Sequence, residues 1–240
     1  MRDPFREGLA AGWKHIDASQ LAVDLPIEAD VVIIGSGAGG GVTAEILAAN
    51  GLKVVIVEEG PLRTSSDFKM REAEAYPDLY QESAARKTAD KAINILQGRC
   101  VGGSTTVNWT SSFRTPPRTL QWWQSAWGLK RLGVDAMAPW FAAMEQRLHV
   151  GLWPIPPNEN NAALARGAAQ LGIPVAVIPR NVKMCWNLGY CGMGCPTNAK
   201  QSMLVTTLPL ALDAGATLLV QTRAERVVLA GGKAEAVDCY

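Results

Sequence analysis

The densest group of reactive side chains lies in "KMCWNLGYCGMGCPTNAKQS", where Cys185, Cys191 and Cys195 follow a C-x5-C-x3-C spacing with Pro196 directly after. A disulfide would leave one of these thiols over. Zinc wants four ligands, and no histidine or fourth cysteine is near in sequence. A structural loop of free cysteines is a third reading. The fourth is an iron–sulfur centre, because C-x3-C-P also ends the ferredoxin ligand run and three thiolates suit a [3Fe–4S] cluster. Gly189, Gly192 and Gly194 would let the backbone wrap closely around such a group.

A second chemistry is written in Gly35-Ser36-Gly37-Ala38-Gly39-Gly40, a GxGxxG turn inside "ADVVIIGSGAGGGVTAEILAANGLKVVIVEEG". Gly35 allows the tight turn, Gly37 lets the backbone approach a pyrophosphate, and Gly40 lets the following helix sit close. The helix amino terminus then offers free N–H groups and about half a positive charge to phosphates. Glu58 closes the second strand, where it would accept both hydroxyls of an adenosine ribose and repel a 2′-phosphate. Adjacent Glu59 is the second candidate for that role.

The turn alone does not separate FAD from NAD. The segment "GRCVGGSTTVNW", residues 98–109, resembles the flavin-contacting signature G-R-x-x-G-G-S-S-x-x-N of the glucose–methanol–choline (GMC) oxidoreductases. That resemblance implies an FAD-dependent enzyme that oxidises an alcohol, with hydride passing from the carbinol carbon to flavin N5. Arg99, Gly102, Gly103 and Ser104 would then lie against the flavin pyrophosphate, with Asn108 and Trp109 by the isoalloxazine. Val107 stands where covalently flavinylated members carry histidine, so the FAD is expected to be non-covalent. Cys100 reads as a small buried hydrophobe.

The whole C-x5-C-x3-C-P also resembles the segment that ligates a three-iron cluster in membrane-linked FAD glucose and fructose dehydrogenases. Such a centre would pass electrons singly to a cytochrome or quinone, which favours a dehydrogenase over an oxidase. Lys200-Gln201-Ser202 instead resembles the family's long-chain alcohol oxidases. A nucleotide-binding module without chemistry of its own, and a plain NAD-linked dehydrogenase, are the competing readings; the second glycine segment opposes the latter.

The family's proton transfer is done by a late histidine paired with a histidine or asparagine. Only His15 and His149 are present, and neither matches such a position. The chain therefore reads as the amino-terminal part of a longer enzyme, with residues 1–240 alone expected not to turn over alcohols.

The elements that must position these groups form an α/β, Rossmann-like fold. "VVII" and "VVIV" are continuous β-branched runs, the pattern of parallel strands buried on both faces. A helix is expected over 42–49, a short one around 81–92, helices through 118–149 and one over 162–171. "PVAVIP" reads as a strand, and Gly231-Gly232 as a hairpin turn. Pro154, Pro156 and Pro157 break the chain. Residues 1–110 and 200–240 are assigned to the flavin domain, and 111–199 to a mainly helical insertion that begins the substrate side. Core packing is the commoner role for any one of its tryptophans.

With 48% hydrophobic and 19% charged residues there is ample material for a core. A net charge of +1 argues against nucleic acid or an anionic membrane as main partner. No apolar stretch is long enough to be a signal peptide or a span, so a cytoplasmic protein is expected.

Overall fold

A computed structural model describes residues 2–153 and 155–240, so Pro154 lies outside the described residues. In chain order the elements are α1 (Pro4–Ala10), β1 (Lys14–Asp17), β2 (Val31–Ile34), α2 (Ala38–Ala49), β3 (Val54–Val57), α3 (Glu72–Leu79) and α4 (Ser104–Val107). There follow α5 (Pro117–Trp127), α6 (Val134–Arg147), β4 (Val150–Gly151), α7 (Glu159–Gln170), β5 (Arg180–Asn181), α8 (Thr207–Asp213), β6 (Thr217–Val220), β7 (Ala224–Ala230) and β8 (Lys233–Cys239). The chain forms two compact units, Met1–Trp109 with Leu188–Tyr240, and Thr110–Asn187.

The first unit is built on a parallel sheet of order β1-β6-β3-β2. The expected strand, glycine turn, helix and strand over 31–57 are present, and α2 begins at Ala38, directly on the turn. Every residue of β3 is buried, as its apolar run demands. β2, one of the two outer strands, differs: Val32 and Ile34, on one face, are 37% and 57% exposed. Val54, Ile56, Leu218 and Val220 form the sheet's centre at 1% exposure or less. Burying each contributes about 1.5–3 kcal/mol. Helices α2 and α8 cover one another through small residues. A Cβ on Gly41 would stand 2.7 Å from Thr207 Oγ1, and Ala44 and Ala211 are fully buried.

The hairpin β7–β8 turns on Gly231-Gly232, whose φ values of 57° and 79° are those of a tight two-residue turn. The helix expected around 81–92 is not there. A helix forms earlier, over Glu72–Leu79, and positive φ at Glu82, Ser83, Ala84 and Lys91 breaks any helical run beyond it.

The second unit holds α5, α6 and α7, close to their expected limits. Of "PVAVIP" nothing forms a strand; pairing begins only at Arg180, opposite Gly151, and Val175 and Val177 are more than half exposed. The tryptophans differ as well. Trp122 and Trp127 pack edge to face with ring centroids 6.1 Å apart, yet they and Trp140 and Trp186 are each 53% exposed or more. On α5, Leu120 is the side chain that goes fully inside.

Candidate functional site

The carboxyl ends of β2 and β3 and the turn after β6 open onto a cleft of about 500 Å³. In open parallel sheets this is where ligands bind. Gly35, Gly37, Glu58, Glu59, Arg99, Gly103 and Ser104, all anticipated from sequence, line it together with Gln81, Gln97, Thr222 and Arg223, which were not.

The turn is pinned from below. Gly35 N donates to Val57 O at 2.8 Å, which fixes the end of β2 against β3. Glu58, 6% exposed, accepts from Ser36 N at 3.0 Å and Ser36 Oγ at 2.5 Å on one carboxylate oxygen, and from Gly60 N at 2.9 Å on the other. The expected ribose acceptor thus first organises the turn. An ionised carboxylate has about four lone-pair sites, so accepting capacity remains toward the cleft. Glu59 pairs with Arg99, Oε1 to Nε 2.8 Å, with both side chains about a third exposed.

The second glycine segment arrives at the same place. Gly102 N donates to Ser36 Oγ at 3.0 Å, so one serine hydroxyl links Gly102 to Glu58. Gly103, at φ 53°, lies so close that a Cβ there would stand 2.9 Å from Gly37 Cα. Gly98 N donates to Ser104 Oγ, and Thr105 Oγ1 donates to Gly102 O. Gly40 has the role expected of it: a Cβ would fall 1.8 Å from Gly35 O. Gly35 has open space where a Cβ would be, but its φ of 91° is the left-handed geometry a tight turn takes, whereas Gly39 has open space and no such φ. The result is a bare backbone cradle at the start of α2, which carries no side-chain cap on its first amides. Such a cradle suits the pyrophosphate of a dinucleotide such as FAD.

Beyond the cradle, Asn108 and Trp109 are exposed, while Val107 is 3% exposed and Cys100 fully buried. Burial drives the Cys100 thiol far up, and the Glu58 charge adds to it, so this cysteine is inert packing as expected.

Among the described residues no three of His, Cys, Asp and Glu gather in a way that could hold a metal ion. Cys185 belongs to the second unit, where its Sγ accepts from Asn187 N, while Cys191 and Cys195 belong to the first. The cationic group beside Cys191 and Cys195 is the Lys200 ammonium. Burial pushes it down to about 8, while the fields of those two thiols and of Cys100 pull it up. Lys200, Gln201 and Ser202 are all buried, at 2%, 7% and 3% exposure. Sequence reasoning singled out Lys200 only within the Lys200-Gln201-Ser202 resemblance and gave it no place in the site.

The two histidines lie elsewhere. His15, on β1, has a buried Nε2 without a partner, lines a separate cavity with Arg63 and Gln221, and is pushed down by burial against the pull of Asp17. His149 is exposed, just after α6.

Comparison with known proteins agrees with this geometry. The GMC oxidoreductase model matches residues 76–240, and an FAD binding domain model matches residues 30–70. A long-chain-alcohol oxidase of Arabidopsis thaliana is 36% identical over 203 residues, covering 85% of this chain and 27% of the relative. An uncharacterized GMC-type oxidoreductase of Sinorhizobium fredii is 33% identical over 215 residues, covering 89% and 43%. Pyridoxine 4-oxidase from Mesorbium loti superposes with a TM-score of 0.67 at 20% identity, over 88% of this chain and 46% of that one. The chain thus spans between about a quarter and a half of the length of these relatives. Among the described residues no helix is long and apolar enough to cross a membrane.

Proposed function

Since this chain belongs to the GMC oxidoreductases, we propose that it is the FAD-holding portion of an enzyme that oxidises the CH–OH group of a primary alcohol. The observation that carries the reading is the meeting of two glycine segments, Gly37 against Gly103 and Gly102 bonded to Ser36, in one bare cradle at the strand ends. Bound there, FAD would supply the hydride acceptor. Gly37, Ala38 and Gly103 would hold its pyrophosphate, Glu58 and Glu59 its ribose, and Asn108 and Trp109 would face its ring. The names of the long-chain-alcohol oxidase relatives support the substrate class.

Oxygen is the acceptor we propose. The support for oxygen is the oxidase names of the relatives. Residues 1–240 alone are proposed to bind flavin without turnover. Neither histidine lines the cleft.

The test is anaerobic mixing of the whole FAD-loaded protein with primary alcohols of increasing length, followed by admission of air. Bleaching of the flavin by the alcohol, then recovery with stoichiometric hydrogen peroxide, is the expected outcome. A flavin that no alcohol bleaches would overturn the activity. Recovery only with a quinone or cytochrome, with iron and acid-labile sulfide in the preparation, would overturn the acceptor.

A further inference from the structure

Lys200 is 2% exposed, which is rare for a lysine, and its ammonium has three protons and three acceptors. Nζ donates to Thr106 O at 2.7 Å, Asn108 O at 2.8 Å and Cys191 O at 2.6 Å. Tyr80, 5% exposed, completes the arrangement: its hydroxyl donates to Gly192 O at 2.6 Å and lies 3.3 Å from Val107 O. Three successive carbonyls at the end of α4 and two successive carbonyls of the cysteine loop therefore converge on one buried ammonium and one buried phenol.

The contact continues into side chains. A Cβ on Gly192 would stand 3.3 Å from the Trp109 indole and 3.4 Å from the Tyr80 hydroxyl, so the loop backbone is the surface on which Trp109 rests. Gly194, at φ 83°, passes so close to the Phe68 ring that a Cβ would fall 2.3 Å from it. The loop is thus held by its backbone on both sides of Met193. Its carbonyls carry these contacts.

We propose that Lys200 is a positioning residue: with Tyr80 it knits the cysteine loop beneath residues 106–108 and so fixes the orientation in which Asn108 and Trp109 meet the flavin ring. The inference rests on the flavin reading above. The physical logic is that of an outer shell. The final carbonyls of a helix have no partners of their own, and a cation held against them stiffens the turn that follows. At metal sites the loss of such outer partners commonly costs about 10–100-fold in affinity or activity, and a loss of that order is expected here.

Lys200→Met keeps the buried stem and removes the charge; Tyr80→Phe removes one hydroxyl. Both are compared with the FAD-loaded wild-type protein by FAD titration and by visible circular dichroism of the bound flavin, which reports the ring's asymmetric surroundings. Lys200→Met is expected to raise the FAD dissociation constant about tenfold or more and to change the flavin bands. Tyr80→Phe should change them in the same direction by less. A lysine that only stabilised the fold would lower the melting temperature and leave the flavin spectrum of the folded, loaded protein superimposable on wild type. That result for Lys200→Met, or for Tyr80→Phe if the former does not fold, overturns the inference alone. A wild-type protein that takes up no FAD overturns the flavin reading itself.

Discussion

Gly37 and Gly103 touch backbone to backbone, although 66 residues separate them in the chain: a Cβ on Gly103 would be 2.9 Å from Gly37 Cα. Two glycine segments that could each be an ordinary turn become one cradle through this contact. Gly103 also has φ 53° and ψ −145°, which a side chain adopts only under strain. Gly103→Ala is therefore expected to cost on the order of 1–3 kcal/mol in backbone strain and to weaken FAD binding at least about tenfold. Flavin fluorescence titration reads the second effect and urea unfolding the first. Wild-type affinity in the alanine variant would show that the two turns separate without consequence.

Ser36 gives a sharper test of the same junction, because it is fully buried and its hydroxyl has two partners, Glu58 and Gly102 N. Ser36→Ala leaves a buried amide and a buried carboxylate oxygen each one bond short. The expected loss is about 1–3 kcal/mol in unfolding free energy, together with weaker FAD binding. Ser36→Thr, which keeps the hydroxyl, should recover part of the stability.

Acid should reveal Asp3. Burial opposes its ionisation, but the hydroxyls of Ser66 and Thr64 and the amides of Arg6 and Ser66 outweigh that and hold it at about 2, below the ordinary 3.8. A carboxylate depressed in this way stabilises the fold fully above about pH 4, and the contribution fades as pH falls through about 2. The gap between those values amounts to about 2 kcal/mol. Asp3→Asn should therefore melt roughly 4–8 °C below wild type at neutral pH, and the two should converge near pH 2. A gap independent of pH would mean that shape rather than charge matters at this position.

Val107 bears on how the flavin is held. It is 3% exposed and aliphatic, and offers no nucleophile to the ring. Acid precipitation of the loaded protein should release all the yellow colour to the supernatant. Colour retained in the pellet would require a covalent link through some other side chain.

What the sequence made legible follows from how far each signal reaches. The turn at residues 35–40, α2 and β3 are written in consecutive residues, so spacing alone located them, and Glu58 with them. β1 is four residues, "KHID", without alternation, and it is a strand only because Thr217–Val220 lies beside it. The same holds for "PVAVIP", whose β-branched residues looked strand-like but form no strand, with Pro179 O accepting from Ser112 N only at its end. Lys200 was hidden for a related reason. A lysine belongs in water by default, and only Thr106, Asn108 and Cys191, brought in from two other segments, make its burial tolerable. Thiol spacing speaks of ligands and says nothing of backbone, and the contacts seen here run through the carbonyls of Cys191 and Gly192.

The strand order β1-β6-β3-β2 sets a timetable for the growing polypeptide. β6, whose first residue is Thr217, lies between β1 and β3, which are complete at Asp17 and Val57. Roughly 160 residues must still leave the ribosome after β3 before the central strand exists. At typical synthesis rates of about 5–20 residues per second, that is a wait of about 10–30 seconds. Throughout it, β1 has no neighbour and one side of β3 presents bare amides and carbonyls to whatever is nearby. A chaperone able to shield strand edges would find its substrate here in that interval, and a synonymous change that slows translation ahead of Thr217 would lengthen the exposure without altering a single residue.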